Sequence, residues 1–328
     1  MASPSTETSP AFWSLGNGRG EIADGLVDHH DGHAPWVEVE TVYSAISRGT
    51  EALVFNGQVP ESEYQRMRAP FQQGDFPGPV RFGYMNVGRV TTGPDDLKGQ
   101  YVFCLFPHQR RYRVPVSAVT RLPTVVPPER AVLAANMETA INGLWDGAPL
   151  VGDRIAVIGC GVVGCLVAWL AARIPGTRVV AVDPNPRRQP VLASLGVECV
   201  TTLERDDHDL VFHTSGHPSG LETALSVAGN EARIVEMSWY GRQAVPATLG
   251  GAFHSRRLTL RSSQVGQISP RQASRWNHGD RIALALSMLA EPALEALITG
   301  ESAFEDLPTV MPELAGGASD TLCHRIHY

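Results

Sequence analysis

The stretch DRIAVIGCGVVGCLVAWLAARIPGTRVVAVD, from Asp153 to Asp183, restricts the fold of this chain more than any other. It reads as an apolar strand, a glycine turn, an apolar helix and a second apolar strand. Such a crossover returns the chain parallel to itself, so a parallel sheet follows. Gly159, Gly161 and Gly164 fall at the dinucleotide spacing: the first permits a tight turn, the second lets a pyrophosphate reach the backbone, and the third lets the helix pack close. Val162 and Val163 then open a helix whose N-terminus faces the phosphates. Asp183 closes the second strand about 20 residues on, where a ribose hydroxyl needs a carboxylate. That carboxylate repels a 2′-phosphate, which favours NAD(H). Arg187 and Arg188 follow closely and either meet a phosphate or stay solvated, so NADP(H) remains open. A purely structural glycine turn is the competing reading.

At 328 residues the chain exceeds the size of one ordinary core, and two domains are expected. The first third alternates β-type runs with turns: WVEVETVYSAIS from Trp36, RFGYMNVGRVTTG from Arg81, QYVFCLFP from Gln100 and RYRVPVSAVTRLP from Arg111. Prolines 123, 127 and 128 mark a linker, and 129–145 has helical spacing. The expected division is therefore a β-rich domain at 1–128 with a disordered leader over about 1–10, a dinucleotide-binding domain at 129–265, and a segment at 266–328 returning to the first domain through the strand-like TLCHRIHY. The link from Val200 to Leu210 is too short for a full crossover helix, so one helix of the α/β half is expected to be trimmed. A net charge of −7 with scattered Arg pairs excludes a nucleic-acid surface, and the longest apolar run, 162–172, is too short to span a bilayer. A leader without a basic start or apolar run predicts a cytoplasmic protein. Five cysteines without a CxxC pair argue against a disulfide framework and a cysteine zinc site, and read as reduced, mostly buried thiols.

With these residues located, the chain over 36–328 resembles the medium-chain dehydrogenase/reductase superfamily. AISRGTE (Ala45 to Glu51) is similar to that family's CGICGTD, GYMNVGRV to its GHEFVGVV, GQYVF to its GDRVV, and DRIAVIGCGVVG to its GDRVLVIGAGPIG. The first two segments also look similar to a subgroup that includes bacteriochlorophyllide dehydrogenases. The resemblance implies a GroES-like catalytic domain, a doubly wound Rossmann domain, a small-molecule substrate and pairing of copies through the nucleotide-binding half, so a homodimer stays open. It also implies a catalytic zinc held by thiolate, imidazole and carboxylate, yet Arg48 stands at the thiolate position and Tyr84 and Met85 replace the His-Glu pair. Glu138 alone survives at the place of a carboxylate near the metal, and the four-cysteine lobe of the structural zinc is absent. The expectation is a metal-free site. Arg48 would stabilise charge on a reacting oxygen, Tyr84 would supply the proton, Thr50 matches the hydroxyl that begins the family's proton relay, and Glu138 would pair with Arg48. The competing reading makes Arg48 and Glu138 a structural ion pair. Glu51, matching the acid behind the metal ligands, is expected to be structural because its histidine partner has gone.

Other candidates sit at strand ends, where ligands bind in such sheets. Trp239 and Tyr240 follow the fifth nucleotide-domain strand, Ser263 and Gln264 the sixth, and Ser215, in the TSG turn between His213 and His217, the fourth. Ser215, Trp239, Gln264 and Arg188 are assigned to the cofactor, and His108 and Tyr240 to a substrate pocket. DHHDGH (Asp28 to His33) has metal-like composition in a turn-rich stretch and is read as polar loop. Tyr64, Met67 and Phe71, within the insertion 57–77, have the spacing of one helix face and suggest a lid. Together these residues predict a zinc-independent, NAD(P)(H)-dependent oxidoreductase acting between a carbonyl and an alcohol, with a sizeable and partly aromatic substrate. Reduction of a conjugated C=C bond, or a non-catalytic dinucleotide-binding sensor or scaffold, remain the alternatives.

Overall fold

The computed structural model describes residues 7–30, 34–317 and 319–328. The chain divides into two compact units: unit 1 comprises Met1–Ala135, Leu286–Glu291 and Ile298–Tyr328, and unit 2 comprises Asn136–Ala285 and Pro292–Leu297. The returning segment, expected from residue 266, thus rejoins unit 1 only at Leu286.

Unit 1 is built on two sheets. Its first strands, β1 (Thr8–Ser14) and β2 (Gly20–Leu26), form an antiparallel hairpin joined by the short β5 (Val80–Arg81) and β4 (Gln73–Gly74). Of the leader expected over about 1–10, residues 1–6 lie outside the described residues, while Thr8 to Pro10 belong to β1, because TSPAFWS buries Ser9, Ala11, Phe12 and Ser14 and so has an apolar face to pack. The larger sheet centres on β3 (Trp36–Ile46), flanked by β6 (Asn86–Thr92), with β7 (Tyr101–Cys104), β8 (Arg111–Pro115) and β9 (Val119–Arg121). Val37, Val39, Val90, Val102, Phe106, Tyr112 and Val114 form its dry core. β-branched and aromatic residues at every second position explain why these segments pair as strands. The helix α1 (Arg48–Phe55) follows β3 directly. The insertion 57–77 is not the expected helical lid. It holds one 3-10 turn at Glu61–Glu63, and Phe71 takes φ 56 and packs against His29 and Phe106.

The single helix expected over 129–145 is two, α2 (Pro128–Ala131) and α3 (Ala134–Gly147), with the unit boundary falling just after the break. Unit 2 then forms a six-stranded sheet in the order β12-β11-β10-β13-β14-β15, from β10 (Arg154–Ile158), β11 (Arg178–Val182), β12 (Glu198–Val200), β13 (His208–His213), β14 (Ala228–Glu236) and β15 (Thr259–Ser262). Every pairing is parallel, and the order reverses between β10 and β13. Helices α4 (Val162–Ala171), α5 (Arg188–Ser194) and α6 (Pro218–Val227) complete the crossovers, and α7 (His278–Met288) follows the sheet. As the short link predicts, no helix lies between β12 and β13. Ion pairs hold that connection instead: Arg154 reaches Asp207 at 2.6 Å and Asp209 at 3.0 Å, while Arg256 takes Asp206.

Chain return to unit 1 brings β16 (Ile298–Ala303), α8 (Leu307–Ala315) and β17 (Cys323–His327), the last pairing antiparallel with β3. Among the described residues no helix is long and apolar enough to cross a membrane.

Candidate functional site

In unit 2 the glycine turn is shaped by close backbone approach. Gly159 has φ +99, and a Cβ there would stand 2.5 Å from the backbone of Ser215; a Cβ on Gly164 would stand 1.9 Å from the Gly159 carbonyl oxygen. Neither position accepts a side chain without moving main chain. Gly161, the N-cap of α4, has nothing within 4 Å of its added Cβ, and no side chain caps the helix. The first-turn amides at Val162 and Val163 therefore have no side-chain cap, the arrangement in which a helix N-terminus can take an anion. Asp183 is fixed beside them: its Oδ2 accepts from the Cys160 N–H at 2.8 Å and its Oδ1 from the Asn185 N–H at 2.9 Å. Each oxygen keeps a lone pair for a ribose hydroxyl. Arg188 opens α5 just beyond.

On the other side of the switch point, the ends of β13 and β14 carry a network that the sequence only half revealed. His213, with no exposed surface, donates from Nδ1 to Glu236 Oε2 at 2.7 Å, and its Nε2 accepts from Ser215 Oγ at 2.6 Å. The acceptor-only carboxylate sets this tautomer. Tyr240 also donates to Glu236 Oε2, at 3.1 Å, and the Ser238 N–H donates to its other oxygen at 2.7 Å. Burial raises the Glu236 carboxyl, but these bonds and the facing imidazole outweigh it and hold the group below its ordinary value. Tyr240 is pushed up by burial and the Glu236 charge. Ser215 is an exposed residue whose Oγ, besides bonding His213, accepts from the His217 N–H at 3.1 Å. Glu236 and Ser238 carried no motif of their own. Trp239 is partly buried beside them, whereas Gln264 is exposed and turns its Oε1 back to the Gly266 N–H at 2.7 Å.

The matched positions in unit 1 are arranged differently from expectation. Arg48 Nη1 donates to the carbonyls of Ser319 at 2.7 Å and Thr321 at 2.6 Å, anchoring the segment before β17 to the start of α1. Glu138 belongs to unit 2 and is held there by Arg281 Nε at 2.9 Å, both side chains being buried. Arg48 and Glu138, expected to pair, each have partners inside their own unit. Burial raises the Glu138 carboxyl, Arg281 opposes that, and Arg281 also donates to Asn142 Oδ1 at 2.7 Å, bracing α3 against α7.

Glu51 has not lost its histidine; His108 supplies it from the turn after β7. His108 Nε2 donates to Glu51 Oε2 at 2.9 Å, and its Nδ1 accepts from Ser44 Oγ at 2.7 Å. Ser44 accepts in turn from the Tyr328 hydroxyl at 2.9 Å. His108 is 1% exposed with both ring nitrogens engaged, so its assignment to a pocket wall is corrected. Glu51 Oε1 accepts from the Ser47 N–H at 2.7 Å, and the Tyr84 hydroxyl donates to Ser47 Oγ at 2.6 Å. Burial and the Glu51 charge push Tyr84 up to about 12, outweighing its hydrogen bonds with Ser47 and Thr50. Tyr84 therefore keeps its proton at neutral pH.

The donor set at these positions does not suit zinc. A guanidinium stands at the thiolate position, Met85 is buried in the core, and Glu51 and His108 satisfy each other. Of the DHHDGH run, Asp31 to His33 lie outside the described residues. His29 accepts from the buried Arg81 Nη2 at 2.9 Å, and His30 stacks on Trp36. Burial, then the Arg81 charge, lowers His29 to about 4.

No protein-family profile matches the chain. L-threonine 3-dehydrogenase of Bacillus subtilis is 28% identical over 135 residues, covering 37% of this chain and 39% of that enzyme; the match spans about two fifths of the relative's length. The 2-desacetyl-2-hydroxyethyl bacteriochlorophyllide A dehydrogenase of Rhodobacter capsulatus is 28% identical over 294 residues, covering 82% of this chain and 86% of the relative. Among solved structures, L-idonate 5-dehydrogenase of Escherichia coli superposes with a TM-score of 0.78 at 17% identity, over 98% of this chain and 99% of that one. With its β-rich unit and its parallel dinucleotide-type sheet, the chain is similar in sequence and in fold to medium-chain dehydrogenases of the zinc type.

Proposed function

We propose that the chain is a nicotinamide-dependent oxidoreductase that interconverts a carbonyl and an alcohol on a small molecule without zinc. The observation that carries this is the cradle at Gly159, Gly161 and Gly164, closed by the Asp183 carboxylate. Structures of this fold have been solved with NADP and with NADH bound. Amides at Val162 and Val163 hold the pyrophosphate, Asp183 takes the adenosine ribose and favours NAD(H), and Ser215 serves the nicotinamide half. When bound, the nicotinamide gives or accepts hydride. Tyr84 holds the proton that a reduced carbonyl oxygen needs, and Thr50 and Ser47 orient its hydroxyl. Arg48 has a structural task in this reading, because its guanidinium is committed to backbone carbonyls.

The reading is tested by titrating the protein with NADH and NADPH by fluorescence while measuring metal on the same sample, followed by a carbonyl and enone screen. Saturable NADH binding, carbonyl turnover and a chelator-insensitive rate are expected. Stoichiometric zinc with chelator-sensitive turnover would overturn the zinc-independent assignment, and absence of nucleotide binding would overturn the oxidoreductase itself.

A further inference from the structure

The cysteines of unit 2 are not scattered. Cys160, in the middle of the glycine turn, and Cys199, on the outermost strand β12, place their sulfurs 4.0 Å apart. Cys160 is fully buried and Cys199 partly exposed. The contact with Cys160 lowers the Cys199 thiol from its ordinary range against the opposing effect of burial, and the same contact, with burial, raises Cys160. A reachable, acidified sulfur next to a buried thiol is the arrangement in which oxidation goes to a disulfide.

We propose that Cys160 and Cys199 form a peroxide-reactive modification site that closes to a disulfide and weakens nucleotide binding. The Cys199 thiolate attacks one peroxide oxygen, the O–O bond breaks, and hydroxide leaves with Cys199 as sulfenic acid. Cys160 then attacks the Cys199 sulfur, the S–O bond breaks, and the proton from Cys160 and the departing hydroxyl leave as water. Two thiols and one hydrogen peroxide thus become one disulfide and two waters. The bond requires a sulfur separation of about 2.05 Å, so the pair must close by roughly half. Cys199 is fixed in the sheet by its register with Ala181, which leaves Cys160 to move. Its N–H anchors Asp183 and its neighbours are Gly159 and Gly161, so that movement distorts the phosphate turn and the ribose carboxylate together. Cys165, Cys104 and Cys323 are buried and take no part.

The effect on nucleotide rests on the function proposed above; the thiol chemistry does not. Full-length protein would be oxidised with stoichiometric hydrogen peroxide, alkylated under denaturing conditions and mapped by mass spectrometry, with NADH affinity measured before oxidation, after it, and after re-reduction with dithiothreitol. Expected are a Cys160–Cys199 linkage with the other three cysteines alkylated, a dissociation constant raised about tenfold and restored by reductant, and protection by bound NADH in a thiol–disulfide buffer by the same factor. C199S should bind NADH as the parent protein does and ignore peroxide. A different linkage, no linkage, or equal peroxide sensitivity in C199S would overturn the proposal. A linkage formed in a reduced protein that never bound nucleotide would support the modification site and overturn the cofactor reading instead.

Discussion

Both units contain a buried histidine clamped between a glutamate and a serine, and they use it differently. In unit 1 the line runs from Glu51 through His108 and Ser44 to Tyr328, with Ser44 fully buried. In unit 2 it runs from Glu236 through His213 to Ser215, and Ser215 is exposed beside the first glycine of the turn. Fixed tautomer, engaged carboxylate and oriented hydroxyl are common to both. What differs is the burial of the last residue: Ser44 is enclosed, whereas Ser215 lies at the surface. The same three residue types thus close a buried staple in one place and end at the surface in the other, and under the proposed function the surface end is the one that meets a ligand.

His108→Ala is the strongest way to break this comparison. It strands the Glu51 carboxylate in a site where both side chains are nearly inaccessible, and removing one partner of such a pair costs about 3–5 kcal/mol. Denaturant unfolding should show that loss in full. His213→Ala should cost less, because Glu236 keeps Tyr240, the Ser238 N–H and some solvent. Equal losses would mean that the two clusters do the same job.

Acid sharpens the contrast from the other side. His29, in unit 1, is held neutral down to about 4 against an ordinary 6.5. Its folded form therefore binds fewer protons than its unfolded form between those values, so its contribution is present above about 6.5 and is lost as the pH falls toward 4. With solvent screening the loss is about 1–2 kcal/mol. His29→Gln should flatten the acid limb in a pH series of unfolding midpoints.

What was legible in the sequence follows from distance along the chain. The glycine turn and Asp183 lie within one βαβ unit, and the missing crossover is a matter of link length alone, so all three are local. The staple in unit 1 was not legible because Glu51 and His108 are 57 residues apart and meet only through sheet register, and the family pattern pointed to a different histidine position. Glu138 and Arg281 are 143 apart, and their pairing depends on α7 packing onto α3. β1 was missed because Pro10 and flanking serines mask its alternation, although Phe12 and Ala11 carry it. Position in a motif thus located backbone well and named side-chain partners poorly.

Ser215→Ala is the smallest of these effects and the most discriminating. Ser215 is an exposed residue, so its removal frees only His213 Nε2 and the His217 N–H, and the vacated space opens both to water. Folding stability should stay within about 0.5 kcal/mol. If Ser215 serves a ligand, the lost hydrogen bond is worth about 1 kcal/mol, read as roughly a fivefold rise in the NADH dissociation constant. Ser44→Ala should do the reverse, lowering stability by a similar amount while leaving NADH affinity unchanged, because its hydroxyl is enclosed between His108 and Tyr328. Should Ser215→Ala lower stability and leave affinity intact, the unit 2 cluster is a second staple, and the nicotinamide half must be held by other residues of that unit.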